Sequence, residues 1–270
     1  MISISNQELR ATVKMIASAA ASEILDVYNS DFKVFTKVDQ SPVTAADKVA
    51  NDLITRQLTQ LTPDIPVLSE ESPEIAFAER QSWTQYWLVD PLDGTKEFVK
   101  RNGEFTVNIA LIRDNAPVLG VVYVPVSGDC YSAAEGDGAF KSDKKGDEFS
   151  ITVRPLDVEA IVAMDSRSHN NKATERFFER LGNVEIVSKG SSLKICYVAE
   201  GKVDVYPRFG PTSEWDTAAA QCVVEQAGGR LTDLCLDRLL YNTKESPLNP
   251  SFLVFGDSNH DWCRYIGLQP

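Results

Sequence analysis

The stretch Trp87-Leu88-Val89-Asp90-Pro91-Leu92-Asp93-Gly94-Thr95-Lys96-Glu97-Phe98 decides how the rest of the chain is read. Trp87, Leu88 and Val89 form a short apolar run of the kind that makes a buried strand. Asp90 ends that run and precedes Pro91, which biases it towards extended backbone. Pro91 then starts a turn, and Gly94 tolerates backbone conformations that other residues resist. Two carboxylates three residues apart on such a turn can converge on one point. The Leu92 carbonyl between them is a third oxygen within reach. Hard oxygen ligands of this kind suit Mg2+ or Mn2+ rather than zinc. Gly94 and Thr95 can present backbone N–H groups at a helix start, where phosphate binds well. The segment therefore reads as a metal and phosphate site.

The composition of the whole chain is that of a globular protein. Its 270 residues, 43% of them hydrophobic, can build one large domain or two sub-domains and are too apolar for disorder. A formal net charge of −12 argues against general nucleic-acid binding, which needs a basic footprint. It also requires that any anionic substrate be met by metal ions and a local cluster of Lys and Arg. The five cysteines are scattered and form no C-x-x-C pair, which argues against a disulfide frame or zinc site and for a reducing compartment. The apolar run from Ile16 to Ile24 is interrupted by Ser18, Ser22 and Glu23 and is too short and polar to span a membrane. Glu8 ahead of it argues against a secretory signal. The expected location is cytoplasmic, with room left for loose attachment to the inner membrane face. No stable protein partner is expected.

Outward from the central stretch, the chain reads as alternating elements. Ser5 and Glu8 form a capping box for a helix running to about Tyr28. Phe32 to Thr36 is a short strand or turn. Thr44 and Asp47 repeat the capping signature before a second helix. Pro66, Val67 and Leu68 lead into Glu70 and Glu71, a second short apolar strand ending in acids. Ser72 to Trp83 reads as polar loop. Phe105–Ile112, Val118–Val124 and Cys130–Ala134 predict an antiparallel meander closed by Gly136, Asp137 and Gly138, with Lys141–Glu148 as an exposed hairpin loop. After Pro155, strands (Ile161–Met164, Val184–Val187, Val203–Tyr206) alternate with helices (Lys172–Leu181, a helix opened by Gly190-Ser191-Ser192 through Ala199, and Trp215–Ala227). Gly228-Gly229 ends the last of these. Leu231 and Phe252–Phe255 supply later strands. The composition change near residue 155 predicts an α+β half (1–155) carrying most metal ligands and an α/β half (156–270) carrying substrate contacts and one ligand.

Taken singly, several of these residues have plainer readings. Asp47 is a capping carboxylate, Glu70-Glu71 a solvated acidic loop, Asp216 a helix-start acid. Ser191 and Ser192 can cap a helix, Lys194 can be solvated, and Arg208 is either an anion contact or a surface residue. His169 and His260 are the only histidines, so a Ser-His-Asp triad or His-rich zinc site is poorly supported. Haloacid-dehalogenase phosphatases also place two aspartates and a Gly-Thr after an apolar strand, but with one residue between the aspartates. Here Pro91 and Leu92 both intervene, which favours two metal-ligating aspartates over a phospho-aspartyl nucleophile.

Glu70-Glu71, then Asp90-Pro91-Leu92-Asp93-Gly94-Thr95, then Trp215-Asp216 with Gly228-Gly229, together resemble the inositol monophosphatase superfamily of Mg2+-dependent, lithium-sensitive phosphatases. Thr95-Lys96-Glu97-Phe98, Arg101 to Thr106, Gly190-Ser191-Ser192-Leu193-Lys194 and Tyr206 to Pro211 are most similar to its bisphosphate nucleotidase branch. The resemblance implies a layered α-β-α-β-α sandwich. It implies two or three Mg2+ ions: one held by Glu70, Asp90 and the Leu92 carbonyl, a second by Asp90, Asp93 and Asp216, and a weaker third beside Glu70. The implied reaction cleaves 3'-phosphoadenosine 5'-phosphate to AMP and phosphate. Thr95 and Asp47, or Glu70, would orient the attacking water and accept its proton, with no covalent intermediate. Substrate contacts would come from Glu70, Leu92, Asp93, Gly94, Thr95 and Asp216, and from Ser191, Lys194 and Arg208 around the non-reacting phosphate. An inositol or sugar monophosphatase on the same scaffold is the enzyme alternative. A metal- or nucleotide-binding regulator without turnover is the non-enzyme one.

Overall fold

The computed structural model describes residues 5–36, 42–73, 75–167 and 171–267. Ser5 caps α1 (Asn6–Tyr28): the Glu8 N–H donates to Ser5 Oγ at 3.2 Å and the Ser5 N–H donates to Glu8 Oε2 at 3.0 Å. The hairpin β1 (Val34–Thr36) and β2 (Pro42–Thr44) follows, then α2 (Ala45–Leu61). Ala46, Ala50, Ile54 and Leu58 recur every fourth residue of α2 and are fully buried, which makes one apolar stripe.

A seven-stranded sheet comes next. It is built from β3 (Val67–Ser69), β4 (Gln85–Asp93), β5 (Thr106–Arg113), β6 (Ala116–Tyr123), β7 (Cys130–Ala134), β8 (Gly138–Ser142) and β9 (Glu148–Ser150), in spatial order of sequence. Only β3 and β4 run parallel. A short helix, α3 (Phe77–Arg80), lies within the stretch read as loop, and α4 (Thr95–Val99) follows β4. The meander does not close at Gly136–Gly138; two further strands extend it. The two glycines there flank a tight turn instead, both with positive φ.

The second sheet has the order β11-β10-β12-β14-β13. In chain order its region comprises β10 (Ile161–Ser166), α5 (Lys172–Leu181), β11 (Val184–Lys189), α6 (Leu193–Ala199), β12 (Val205–Arg208), α7 (Glu214–Gln226), β13 (Arg230–Asp233), β14 (Phe252–Phe255) and α8 (Cys263–Ile266). β10 pairs parallel with β11 and β12, and β14 runs antiparallel to β12 and β13.

Alternation along the central strands defines the layers. Trp87 and Val89 of β4 pack with α1 and α2, whereas Tyr86 and Leu88 face α6, α7 and the second sheet. Phe252 and Val254 of β14 join that same middle layer, while Leu253 and Phe255 pack with α5 and α8. The result is helix, sheet, helix, sheet, helix, the expected α-β-α-β-α sandwich. Burying each of these large side chains contributes about 1.5–3 kcal/mol, so the period-two pattern fixes the register strongly.

Candidate metal and phosphate site

The end of β4 differs from the sequence expectation in an instructive way. The strand does not stop at Asp90; it continues through Pro91 and Leu92 to Asp93. Asp90 lies opposite Asn108 and Asp93 opposite Thr106, so three steps on β4 match two on β5. That is a β-bulge, a place where a strand proline is tolerated. The extra residue matters for chemistry. In a regular strand, residues three apart point to opposite faces. The bulge resets the phase and lets Asp90 and Asp93 converge. The turn itself comes at Gly94, whose φ of 92° is open to glycine and strained for other residues.

Asp216, in the first turn of α7, completes the group: one ligand oxygen from each of Asp90, Asp93 and Asp216 lies within 4.8 Å of the others. Glu70 sits beside this trio. It follows β3, which is in register with β4, and its N–H donates to the Val89 carbonyl at 3.1 Å. Asp90 is fully buried, and burial first, then the charges of Glu70, Asp93 and Asp216, push its carboxyl well above the usual range. Burial and the Asp93 charge do the same to Asp216, against the Ser213 N–H bond. One buried and two half-buried acids set this close together form a group of hard donors whose charge a divalent cation neutralises, so the residues fit Mg2+.

Two capping acids also face the centre. The Thr44 N–H and hydroxyl both donate to Asp47 Oδ2, at 2.7 and 2.9 Å, and Thr95 Oγ1 lies 3.4 Å from both Asp47 Oδ1 and the Leu92 carbonyl. The Ser213 N–H donates to Asp216 Oδ2 at 2.8 Å. Capping and site roles are therefore not alternatives, because a carboxylate has two oxygens. Burial raises the Asp47 carboxyl, partly offset by its bonds from Thr44.

A cleft of about 230 Å3 runs from Asp93, Gly94, Thr95 and Asp216 to Ser191, Lys194 and Arg208. Lys194 is buried, and loss of solvation lowers its ammonium to about 8. It donates to the Ser191 carbonyl at 2.5 Å. Arg208 is also buried; its Nη2 donates to the Pro211 carbonyl at 2.8 Å, and its Nε has no hydrogen-bond partner among the described residues. Ser191 Oγ is buried and unpartnered in the same sense. Lys194, Arg208 and Ser191 thus line one end of the cleft, where Arg208 Nε and Ser191 Oγ have no acceptor among the described residues. His169 lies outside the described residues.

Sequence reasoning missed two supports. The Ser192 N–H and Oγ lie 2.6 and 2.8 Å from Asp93 Oδ2, and Asn108 Nδ2 donates to Ser192 Oγ at 2.8 Å. Asn108 was legible in principle as the one polar residue between Val107 and Ile112 in an otherwise apolar strand.

With fold and site in view, comparison with known proteins gives the class. Residues 5–255 match the inositol monophosphatase family, and the chain belongs to that family. Among individual relatives, it is 50% identical to the 3'(2'),5'-bisphosphate nucleotidase CysQ of Escherichia coli strain K12 over 90% of this chain and 97% of the relative. It is 36% identical to the CysQ nucleotidase of Haemophilus influenzae, over 95% and 96% of the two chains. The crystal structure of CysQ from Bacteroides thetaiotaomicron superposes with a TM-score of 0.79 at 42% identity, covering 91% of this chain and 97% of that one. SuhB from Bartonella henselae superposes with a TM-score of 0.80 at 25% identity, covering 96% and 98%.

Proposed function

We propose that this chain is a phosphatase of the 3'(2'),5'-bisphosphate nucleotidase type, hydrolysing the 3'-phosphate of 3'-phosphoadenosine 5'-phosphate to AMP and phosphate, as a step of sulfur assimilation. The observation that carries the reading is the pairing of two opposite sites in one cleft: the trio Asp90, Asp93 and Asp216, and the buried cations Lys194 and Arg208 with the Ser191 hydroxyl. A monophosphate ester needs only the first. A substrate with a second phosphate uses both. The 50% identity to curated nucleotidases supports the same substrate.

Glu70, Asp90, the Leu92 carbonyl, Asp93 and Asp216 would hold two or three Mg2+ ions. Bound there, Mg2+ supplies the positive charge that polarises the phosphoryl group, acidifies water and stabilises the leaving oxygen. Thr95 Oγ1, between Asp47 Oδ1 and the Leu92 carbonyl, orients the attacking water. Asp47 Oδ1 takes its proton, since Oδ2 is occupied by Thr44; its raised affinity for a proton suits that role. Gly94 and Thr95 N–H groups face the reacting phosphate, and Ser191, Lys194 and Arg208 meet the other one. In this assignment residues 1–155 carry most ligands and 156–270 the substrate arm. Inhibition by lithium and a cytoplasmic location belong to the same proposal; no helix among the described residues is long and apolar enough to cross a membrane.

The test compares purified protein with Mg2+ on the bisphosphate nucleotide and on inositol 1-phosphate, with and without lithium. We expect phosphate release with kcat/KM strongly favouring the nucleotide, and its loss in lithium. Preference for the inositol ester would overturn the substrate, and metal binding without release from any ester would overturn the enzyme.

A further inference from the structure

The turn that carries Ser191 is held from both sides by carboxylates. Ser191 adopts φ of 49°, a left-handed conformation that a serine does not take without support. After it, the Ser192 N–H is fixed to Asp93 Oδ2 at 2.6 Å. Before it, the Gly190 N–H donates to Glu104 Oε2 at 2.9 Å. Glu104 lies between α4 and β5, on the other side of the cleft in the chain. Its carboxylate also accepts from Arg167 Nε at 2.8 Å, Arg167 Nη2 at 3.0 Å and Lys189 Nζ at 3.1 Å. Every one of these donors comes from the end of β10 or β11 or the turn after it. The backbone fits as tightly: a Cβ on Gly190 would stand 2.7 Å from the Glu104 carbonyl oxygen and 2.8 Å from Glu97 Cγ.

We propose that Glu104 is a positioning residue for substrate binding: it clasps the Gly190–Ser192 turn so that Ser191 and the following Lys194 face the second phosphate of the substrate. The inference rests on the reading of the cleft given above. Glu104 does not line the cleft, so it acts through the turn. Burial alone would raise its carboxyl, yet the bonds from Arg167, Lys189 and Gly190 outweigh that and hold it below the usual range. It therefore stays ionised at neutral pH. Its charge also offsets Arg167 and Lys189, two cations that would otherwise strain the same turn apart.

The test combines kinetics with amide exchange on the full chain carrying Mg2+, using Glu104→Ala and Glu104→Gln. Glu104→Ala is expected to raise KM for the bisphosphate nucleotide about tenfold, the loss of about 1.4 kcal/mol of binding, with kcat changed less than about threefold. Glu104→Gln keeps an acceptor for the Gly190 N–H and should recover part of the KM. In parallel, hydrogen exchange across 189–194 should speed up in Glu104→Ala and less so in Glu104→Gln. Unchanged exchange there overturns the clasp whatever the substrate is. Faster exchange with KM unmoved, or kcat and KM lost together, overturns the positioning role. Absence of nucleotide turnover in the unaltered protein would instead strike the functional reading and leave the exchange result to decide the clasp.

Discussion

The two ends of the cleft are built on opposite electrical principles. At one end, Asp90, Asp93 and Asp216 are pushed together, and burial and the neighbouring carboxylates raise the proton affinity of Asp90 and Asp216. At the other, Lys194 and Arg208 are buried side by side and the Lys194 ammonium is weakened. Each arrangement is unfavourable in isolation, because burying like charges without counter-charge costs solvation energy. Each becomes favourable when its ligand arrives. Cations complete the acidic end and a phosphate the basic end. A chain of net charge −12 can hold a polyanionic substrate only by such local reversal.

The largest effect should follow from breaking the acidic end. Asp93 meets the centre with one carboxylate whose Oδ2 is anchored by Ser192. Asp93→Asn keeps that shape and removes the charge. Turnover of the bisphosphate nucleotide should fall by about a thousandfold or more, the loss of about 4 kcal/mol of transition-state stabilisation. Steady-state phosphate release measures it, and a near-normal rate would remove Asp93 from the centre.

Withdrawing the cations tests the same end without mutation. Chelation should abolish activity, and adding Mg2+ at about a hundred times its Kd should stabilise by about 2.7 kcal/mol, or about 5–10 °C in Tm. The sign with pH separates the two states. Asp90 and Asp216 bind protons more tightly in the folded chain than unfolded. Without metal, stability should therefore rise as pH falls from above their raised values towards about 4, the unfolded value. Saturating Mg2+ should flatten that rise, and calorimetry with and without metal would detect it.

At the basic end the effects are smaller and confined to binding. Lys194→Met should raise KM for the bisphosphate nucleotide about ten- to a hundredfold, as expected for a lost charged contact. A substrate lacking the second phosphate should be hardly affected. With the Lys194 ammonium lowered to about 8, the protonated, anion-binding form predominates below that pH. The kcat/KM for the nucleotide should decline as pH rises through about 8, and that limb should vanish in Lys194→Met.

The two ends were not equally legible in the sequence. Asp90, Asp93 and Thr95 announce themselves by spacing within one short stretch, and hydrophobic alternation gave the strands on either side. The reason the acids converge was not legible. A turn was the natural reading of Pro91, whereas a bulge against Asn108 and Thr106 does the work, and a bulge depends on the partner strand. The basic end is assembled across strands and loops far apart in the chain. Nothing near Lys194 in sequence tells that it is buried beside Tyr206, or that Glu104 reaches the turn before it. Short helices such as α3 lie under the same difficulty, since four residues carry too little periodicity to read.

Asp47 links the two kinds of information, because its sequence signature is a cap and its Oδ1 lies against Thr95, which lines the cleft. Its Oδ2 receives both the N–H and the hydroxyl of Thr44, and Thr44 Oγ1 in turn accepts from the Ala46 N–H at 3.1 Å. Thr44→Ala deletes the hydroxyl and keeps the backbone bond. The helix start should then lose about 1 kcal/mol, typical for a cap, or about 2–4 °C in Tm. If Asp47 Oδ1 is held for chemistry by the anchoring of Oδ2, kcat should also fall several-fold while KM stays level. Thr44→Ser restores the hydroxyl and should restore both. A drop in Tm with kcat untouched would leave the cap intact as a structural feature and break its connection to catalysis, because the backbone bond alone would then suffice to aim the carboxylate.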